Sequence, residues 1–415
     1  MTDRTDGQRI LENVRIPTSM IKDSRNFDGD IDADCFWGDL IIHDKRVVGM
    51  QRTKTQKRAP KMILPKLTEC HVHLDKCHTV SRIGAVGGDL PAAINAQRTD
   101  KKYWTRPDIQ KRSSKGLEEL IASGCGTVRS HVDWNGGSEI LQPPLAWDVL
   151  TELASQYRSE INLQISPLLG VDDLAEPNVA ENVARIIAEK SKVMGVFVLD
   201  HANRRKGILA AFHAAEKFGL MLDFHVDEGL AIGLNGLELI ADAVIERGFE
   251  GTVLCGHACA LINLKGDAWT RTAEKIAKSG IHVACLPTTN LYLQGRTEGT
   301  PDRRGITRIK ELKAANVPVV LGTDNVCDAF CPMGRHDPRQ SLMLASLVAH
   351  LDPPFGEFLP MITTTAQSAL GLDPVFVDTA ELEGLMMFSA ASTSDLLANP
   401  DAPLPLIPKF TGVFA

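Results

Sequence analysis

The sequence predicts an α/β chain whose body is a closed (β/α)8 barrel of the TIM type, with a small β-sandwich domain formed by its N- and C-terminal segments. Three observations carry this expectation. Eight apolar runs alternate with amphipathic stretches, and histidines and carboxylates sit at the ends of four of those runs. The first run lacks the Gly-rich phosphate loop that an open doubly wound sheet would favour after it.

Taken in order, the strand candidates are the run that ends at His73, then 127–133, 161–165, 195–200, 221–225, 252–257, 281–286 and 317–322. The helix candidates between them are 114–123, 146–159, 179–192, 208–218, 237–247, 269–279 and 306–315, most with apolar residues at three- and four-residue spacing. Strands that read as nearly continuous apolar runs imply a parallel sheet covered by helices. Residues 61–374 are assigned to the barrel. Residues 1–60 and 375–415 are assigned to the small β domain, on short strand candidates at 10–16, at 39–48 turning at His43-Asp44-Lys45, and at 384–388. Pro400, Pro403, Pro405 and Pro408 give the tail the character of an extended strap.

With 44% hydrophobic and 23% charged residues the chain is an ordinary globular protein, and a net charge of −7 argues against a nucleic-acid partner. The polar N-terminus and the lack of an apolar run long enough to span a bilayer point to a cytoplasmic protein with no membrane partner. Nine cysteines, without a CxxC pair, read as buried free thiols in a reducing compartment. Cys70 and Cys77 flank one histidine pair and Cys255 and Cys259 another histidine, but their spacing fits no familiar zinc module.

The chemistry starts with His71-Val72-His73. Residues i and i+2 of a strand share a face, so both imidazoles can reach one ion, although paired histidines also occur as surface or satisfied core residues. His225 ends the fifth strand candidate and can be a third ligand, with Glu228 just beyond it as a proton-carrying carboxylate. His257 ends the sixth, as a ligand or as a donor that polarises the atom under attack. Asp324 ends the eighth, where a carboxylate can bind the ion and accept a proton from its water, whose pKa the metal lowers toward neutrality. Four such coincidences at the C-terminal ends of barrel strands favour a metal hydrolase over unrelated structural histidines.

His71-Val-His73-Leu-Asp75, His225-Val-Asp-Glu228, His257 and Asp324 together resemble the amidohydrolase superfamily, and specifically its cytosine deaminase branch. The similarity runs from about residue 61 to 370 and is most specific in Asn290-Leu-Tyr-Leu-Gln-Gly-Arg296, Arg303-Arg-Gly-Ile-Thr-Arg-Ile-Lys310, Gly322-Thr-Asp-Asn-Val-Cys-Asp328 and Pro332-Met-Gly334. Residues 126–133 also look like that branch's second strand. The resemblance implies one divalent metal, zinc or iron, held by His71, His73, His225 and Asp324, and it implies that Glu228 and His257 act on the substrate. Asp200-His201 stand where binuclear relatives carry a bridging lysine, which favours a single ion. Relatives are commonly homo-oligomers.

The chain also departs from that branch. Ser166-Pro-Leu-Leu-Gly170 replaces the glutamine with which cytosine-hydrolysing members read the pyrimidine edge, and a site without its polar partner rejects the substrate that needs one. Asn325 replaces the carboxylate expected after Asp324, and Phe330 stands at an aromatic lid position that is usually tryptophan. Leu169, Gln294, Asn325 and Phe330 are the expected substrate contacts. His131 is expected to pack inside the barrel or support the site, Lys76 to be solvated at the pocket rim, and His213, His336 and His350 to be ordinary helix histidines.

The expected activity is metal-dependent hydrolytic deamination of a small nitrogen heterocycle, cytosine-like but not cytosine, with Glu228, His257 and Asp324 as the catalytic groups. Two alternatives remain open at this stage. One is release of an alkylamine from an N-substituted heterocycle, or opening of a cyclic amide, on the same site. The other is a catalytically inactive metal-binding scaffold.

Overall fold

The computed structural model describes residues 2–3, 8–55, 59–84 and 86–406. Eight parallel strands follow one another around the barrel in chain order: Leu67–Val72, Cys125–Asp133, Asn162–Gly170, Val193–Val198, Met221–Val226, Val253–His257, His282–Cys285 and Val319–Leu321. A single parallel bridge between Val72 and Asp324 closes the ring, and the Asp324 N–H donates to the His71 carbonyl at 2.8 Å. The closing contact thus falls on residues that the sequence marks as functional.

Helices Arg106–Ala122, Leu145–Gln156, Val179–Ala188, Arg204–Phe218, Gly236–Arg247, Gly266–Ser279 and Ile309–Ala314 cover the barrel at the expected places. Their apolar faces bury residues such as Leu117, Leu150, Val183, Phe212, Ile240 and Ile276 against the outward side chains of the strands, in one continuous core. At about 25 cal/mol per Å² this burial is the main stabilising force of the barrel. A further helix, Leu90–Asp100, lies in the connection after the first strand.

A second, mixed sheet joins the chain ends. Gln8–Pro17 pairs antiparallel with Cys35–His43, which turns at Asp44 and Lys45, both with positive φ, into Arg46–Gln51. The C-terminal Leu385–Phe388 pairs with Met62–Pro65, and Leu404–Pro405 extends that edge. Pro405 lies in that edge strand and Pro400 and Pro403 in the segment leading to it, while Pro408 is outside the described residues. Asp34 ties the two chain ends through its Oδ2, which accepts from Gly356 N at 2.7 Å and Thr393 Oγ1 at 3.0 Å.

The apolar run before His73 is two strands, not one. Met62–Pro65 belongs to the end sheet, and the chain steps into the barrel at Leu67. Lys66 marks the step, its N–H bonded to Gly384 O at 2.9 Å. The third strand, in turn, runs through the segment expected to be a loop, to Gly170.

Candidate active site

Alternation along the strands stacks polar side chains inside the barrel. The lowest layer is a paired charge: the Arg129 guanidinium donates to Asp223 at 2.9 Å and to Gln164 Oε1 at 2.7 and 3.0 Å, all in the buried floor. Glu69, beside it on the first strand, accepts the N–H groups of His71 (2.9 Å) and Thr323 (3.1 Å), and burial pushes its pKa up to about 8. These groups brace the backbone that carries the layer above.

That upper layer contains His71, His131 and His225, with rings 4.1 to 4.5 Å apart. His73 and Asp324 complete it. Asp324 Oδ1 lies 3.2 Å from His73 Nε2 and 3.5 Å from His71 Nε2, and His225 Nε2 lies 3.2 Å from His73 Nε2. Two glycines make the approach possible. A Cβ at Gly256 would stand 3.0 Å from the His71 ring, and one at Gly322 would stand 2.8 Å from His71 O. Asp324 and His257 both hold the left-handed backbone conformation, at φ 58° and 71°, which costs non-glycine residues of order 1–3 kcal/mol and is characteristic of functional positions.

The donor set fits a divalent ion. His71 Nδ1 and Nε2, His73 Nδ1, His225 Nδ1 and both Asp324 oxygens are buried without a properly angled hydrogen bond. A buried polar atom left so costs about 1–3 kcal/mol, so a cluster of them is stable only around something that they bind. The contact separations match the edges of about 3.3 Å expected between ligands that each stand about 2.0–2.1 Å from one ion. Burial holds the pKa of His73 down at about 4 and that of His225 well below its ordinary value, which keeps their lone pairs free. Burial alone would raise Asp324, but His71 and His73 hold it well below the carboxylate range.

Above this cluster is a cleft of about 240 Å³, the size for a small ligand. Glu228 and His257 face it, His257 Nε2 standing 3.6 Å from Glu228 Oε2. Burial, reinforced by the charge of Asp324, raises Glu228 well above its ordinary pKa. His257 is kept neutral by burial, and its Nδ1 meets Asn290 Oδ1 at 3.0 Å, which assigns the ring proton to Nδ1. Apolar walls come from Leu168, Phe197, Trp134 and Phe330.

Of the expected substrate contacts, Asn325 and Phe330 line the cleft. Leu169 does not: because the third strand continues to Gly170, Gln164, Ser166, Leu168 and Gly170 fall on one face, and Leu168 takes the lining position while Leu169 packs in the outer core. Gln294 lies behind the cleft, its Nε2 donating to Glu228 O at 3.5 Å. Lys76 is not solvated. It is 3% exposed, bonds Asp133 Oδ1 at 2.7 Å, and stands 4.8 Å over the Phe330 ring. Asp133, Trp134 and Gln97 enter the lining unforeseen. Asp133 ends the second strand, so strand-end position alone could have flagged it.

Among the helix histidines, His213 is an exposed partner of Glu181 and His350 is exposed at a helix end, but His336 is buried against Glu119. At the end of the fourth strand Asp200 is exposed and paired to Arg204. Each of the nine cysteines is free, and eight are buried. No helix among the described residues is long and apolar enough to cross a membrane.

A parallel eight-stranded barrel with histidines and acids converging at its strand ends defines a hydrolase of the barrel type. A family model described as the amidohydrolase family matches residues 194–375. A pterin deaminase of Rhizobium rhizogenes is 29% identical over 400 residues, covering 95% of this chain and 91% of that protein. A 5-methylcytosine deaminase of Klebsiella pneumoniae, solved with phosphonocytosine, shares the fold at a TM-score of 0.78 with 23% identity over 95% of each chain. N-isopropylammelide isopropylaminohydrolase of Burkholderia multivorans does so at 0.70 with 20% identity, over 94% of this chain and 95% of that one. Over residues 194–375 the chain matches the amidohydrolase family, and together with its similarity to a pterin deaminase this supports a hydrolase acting on C–N bonds.

Proposed function

We propose that the protein is a hydrolytic deaminase that uses one divalent ion, zinc or iron, to exchange the exocyclic amine of a small nitrogen heterocycle for oxygen, releasing ammonia. The observation that carries the proposal is the convergence of the Nε2 atoms of His71, His73 and His225 with an Asp324 carboxylate that has no hydrogen bond, beneath a buried Glu228 whose pKa burial raises. When bound, a divalent ion supplies a water acidified to near neutrality.

The chain's own groups do the rest. Asp324 would take a proton from the attacking water. Glu228, whose pKa burial raises, would donate to the ring nitrogen beside the amine-bearing carbon, which disrupts the aromatic ring and makes that carbon electrophilic. His257, its Nδ1–H engaged by Asn290, offers the Nε2 lone pair toward Glu228. That lone pair would accept a hydrogen bond from the hydroxyl added to the reacting carbon, whose proton returns to Glu228 as the carbonyl forms, while Asp324 gives its proton to the departing amine so that ammonia leaves neutral. Leu168 at the third-strand end offers no hydrogen bond to a pyrimidine edge, which argues against cytosine. The pterin deaminase relative makes a 2-amino-4-oxopteridine the first substrate to test.

The test is a screen of metal-replete protein for ammonia and alkylamine release over purines, pyrimidines, pterins, triazines and creatinine-like rings. Ammonia release from a ring amine is the expected result. Alkylamine as the product would replace the deaminase reading, and no turnover over the whole panel would contradict both. The proposal includes a cytoplasmic homo-oligomer that engages neither nucleic acid nor membrane, and a monomer in sedimentation would refute the assembly.

A further inference from the structure

Helix Leu90–Asp100 buries four residues, Leu90, Ala93, Gln97 and Asp100, at the spacing of a single helix face. Three of them have the partners that burial requires. Leu90 and Ala93 pack in a cluster with Leu293, Ala329 and Phe330. Asp100 accepts from Arg82 Nε at 2.6 Å, Arg82 Nη2 at 2.8 Å and Trp104 Nε1 at 2.8 Å.

Gln97 is the exception. It is 2% exposed, it lines the cleft above the histidines, and neither its Oε1 nor its Nε2 meets a protein partner. The helix that carries it is fixed at both ends, by the Asp89 side chain accepting from Ala92 N at 3.2 Å and by the Asp100 contacts, so the amide is presented on a rigid element. A leucine or methionine would fill the same space without a polar group to satisfy. A buried amide kept without a partner on a pocket wall is what a site built to hydrogen-bond its ligand requires.

Apart from Arg98, which is exposed, the other polar side chains of the cleft are held by protein partners or belong to the reactive cluster. Lys76 is held by Asp133 at 2.7 Å, and Asn325, the other neutral amide in the lining, gives its Nδ2 to Asp328 Oδ2 at 2.7 Å. A primary amide presents one acceptor and one donor side by side in a plane. Its complement is an adjacent N–H and C=O, the lactam edge of an oxo-substituted heterocycle.

We infer that Gln97 is the specificity-determining residue of this site, reading the lactam edge of a flat, oxo-substituted nitrogen heterocycle from the helix that follows the first strand. The inference rests on the heterocycle deaminase reading above and names the feature by which that site selects its ring. The oxo substituent is thereby required for recognition, while the amine is the group that reacts.

The test compares wild type with Gln97→Leu by calorimetric titration of two probes into metal-replete protein. The probes are 2,4-dioxopteridine, the deaminated counterpart of 2-amino-4-oxopteridine, and its 3-methyl derivative, in which the N–H of the lactam edge is blocked. The expected result is a 10- to 100-fold loss of affinity for the first probe in Gln97→Leu, less than a threefold change for the second, and a melting temperature that stays level or rises. With 2-amino-4-oxopteridine as substrate, KM should rise more than kcat falls. Equal affinity of the two proteins for the first probe, no binding by wild type, or a fall of several degrees in melting temperature without a change in affinity would each overturn the inference. The two readings fail separately. Intact probe discrimination with no ammonia released from any ring amine refutes the deaminase reading alone, and ammonia release that is indifferent to Gln97→Leu refutes this inference alone.

Discussion

The cluster of His71, His73 and Asp324 and the cluster of His78, Glu119 and His336 use the same kinds of side chain, and in both the ligand atoms lie within 4.8 Å of one another, with His225 joining the first through its 3.2 Å approach to His73. They differ in what those atoms do without one. In the second cluster Glu119 Oε2 accepts from His336 Nδ1 at 2.7 Å and meets His78 Nε2 at 3.1 Å, so the carboxylate is satisfied. In the first, both carboxylate oxygens and several ring nitrogens lack a hydrogen bond. Proximity of histidines and acids therefore does not define a metal centre. A buried carboxylate left without a hydrogen bond among histidine nitrogens marks one, because a bound cation can offset its desolvation. The second cluster instead pins the segment after the first strand and the segment after the eighth onto helix Arg106–Ala122, and so steadies the two segments that bear His73 and Asp324.

The largest effect that separates the two clusters is expected from Asp324→Asn. It should remove the bound ion and lower the rate by at least about a thousandfold, because the ligand and the proton acceptor are lost together. Metal analysis with a steady-state assay checks both. Next, Glu228→Gln should retain the ion and lower kcat about 10²- to 10⁴-fold, the usual worth of a positioned acid. A near-normal rate would remove Glu228 from the mechanism.

Beneath the first cluster, Arg129→Met leaves Asp223 as a buried unpaired acid. The expected cost is about 3–5 kcal/mol of stability, read by denaturant unfolding, with metal affinity falling only as the floor loosens.

The smallest effect is expected from Glu119→Gln, with metal content and kcat unchanged and a modest pH-dependent loss of stability. Burial would raise Glu119, but His336 and His78 hold it well below the carboxylate range. Its contribution is therefore present above the unfolded value of about 4.3 and lost as pH falls toward the folded one. Contact with Cys327 and Glu119 raises His78 to about 9, so its contribution is complete below about 6.5 and lost as pH rises through 9. Burial lowers His336, which opposes this gain on the acid side, and the Lys115 ammonium, 3.7 Å from Glu119, favours the carboxylate throughout. Solvent screening at this partly exposed site limits the loss to about 1 kcal/mol near pH 6, shrinking by pH 10. Melts of both proteins at the two pH values check the sign.

The barrel was legible because parallel strands covered on both faces are apolar along their whole length, and because chemistry collects at their C-terminal ends. What was not legible had local causes. One apolar run hid two strands, since Met62–Pro65 and Leu67–Val72 differ in partner and not in composition. Ending the third strand at Ile165 lost the phase that makes Leu168 rather than Leu169 face the cleft. Lys76 is buried by an acid 57 positions away, which no local pattern announces. Helix Leu90–Asp100 is too polar to show a clean apolar stripe, although Asp89 as its cap and Pro91 in its first turn were readable signals. With it went Gln97.

Metal content across three proteins distinguishes the two clusters in one assay. About one divalent ion per chain is expected in the wild type and in Glu119→Gln, and none retained in Asp324→Asn. An ion lost from Glu119→Gln, or held undiminished by Asp324→Asn, would contradict that distinction.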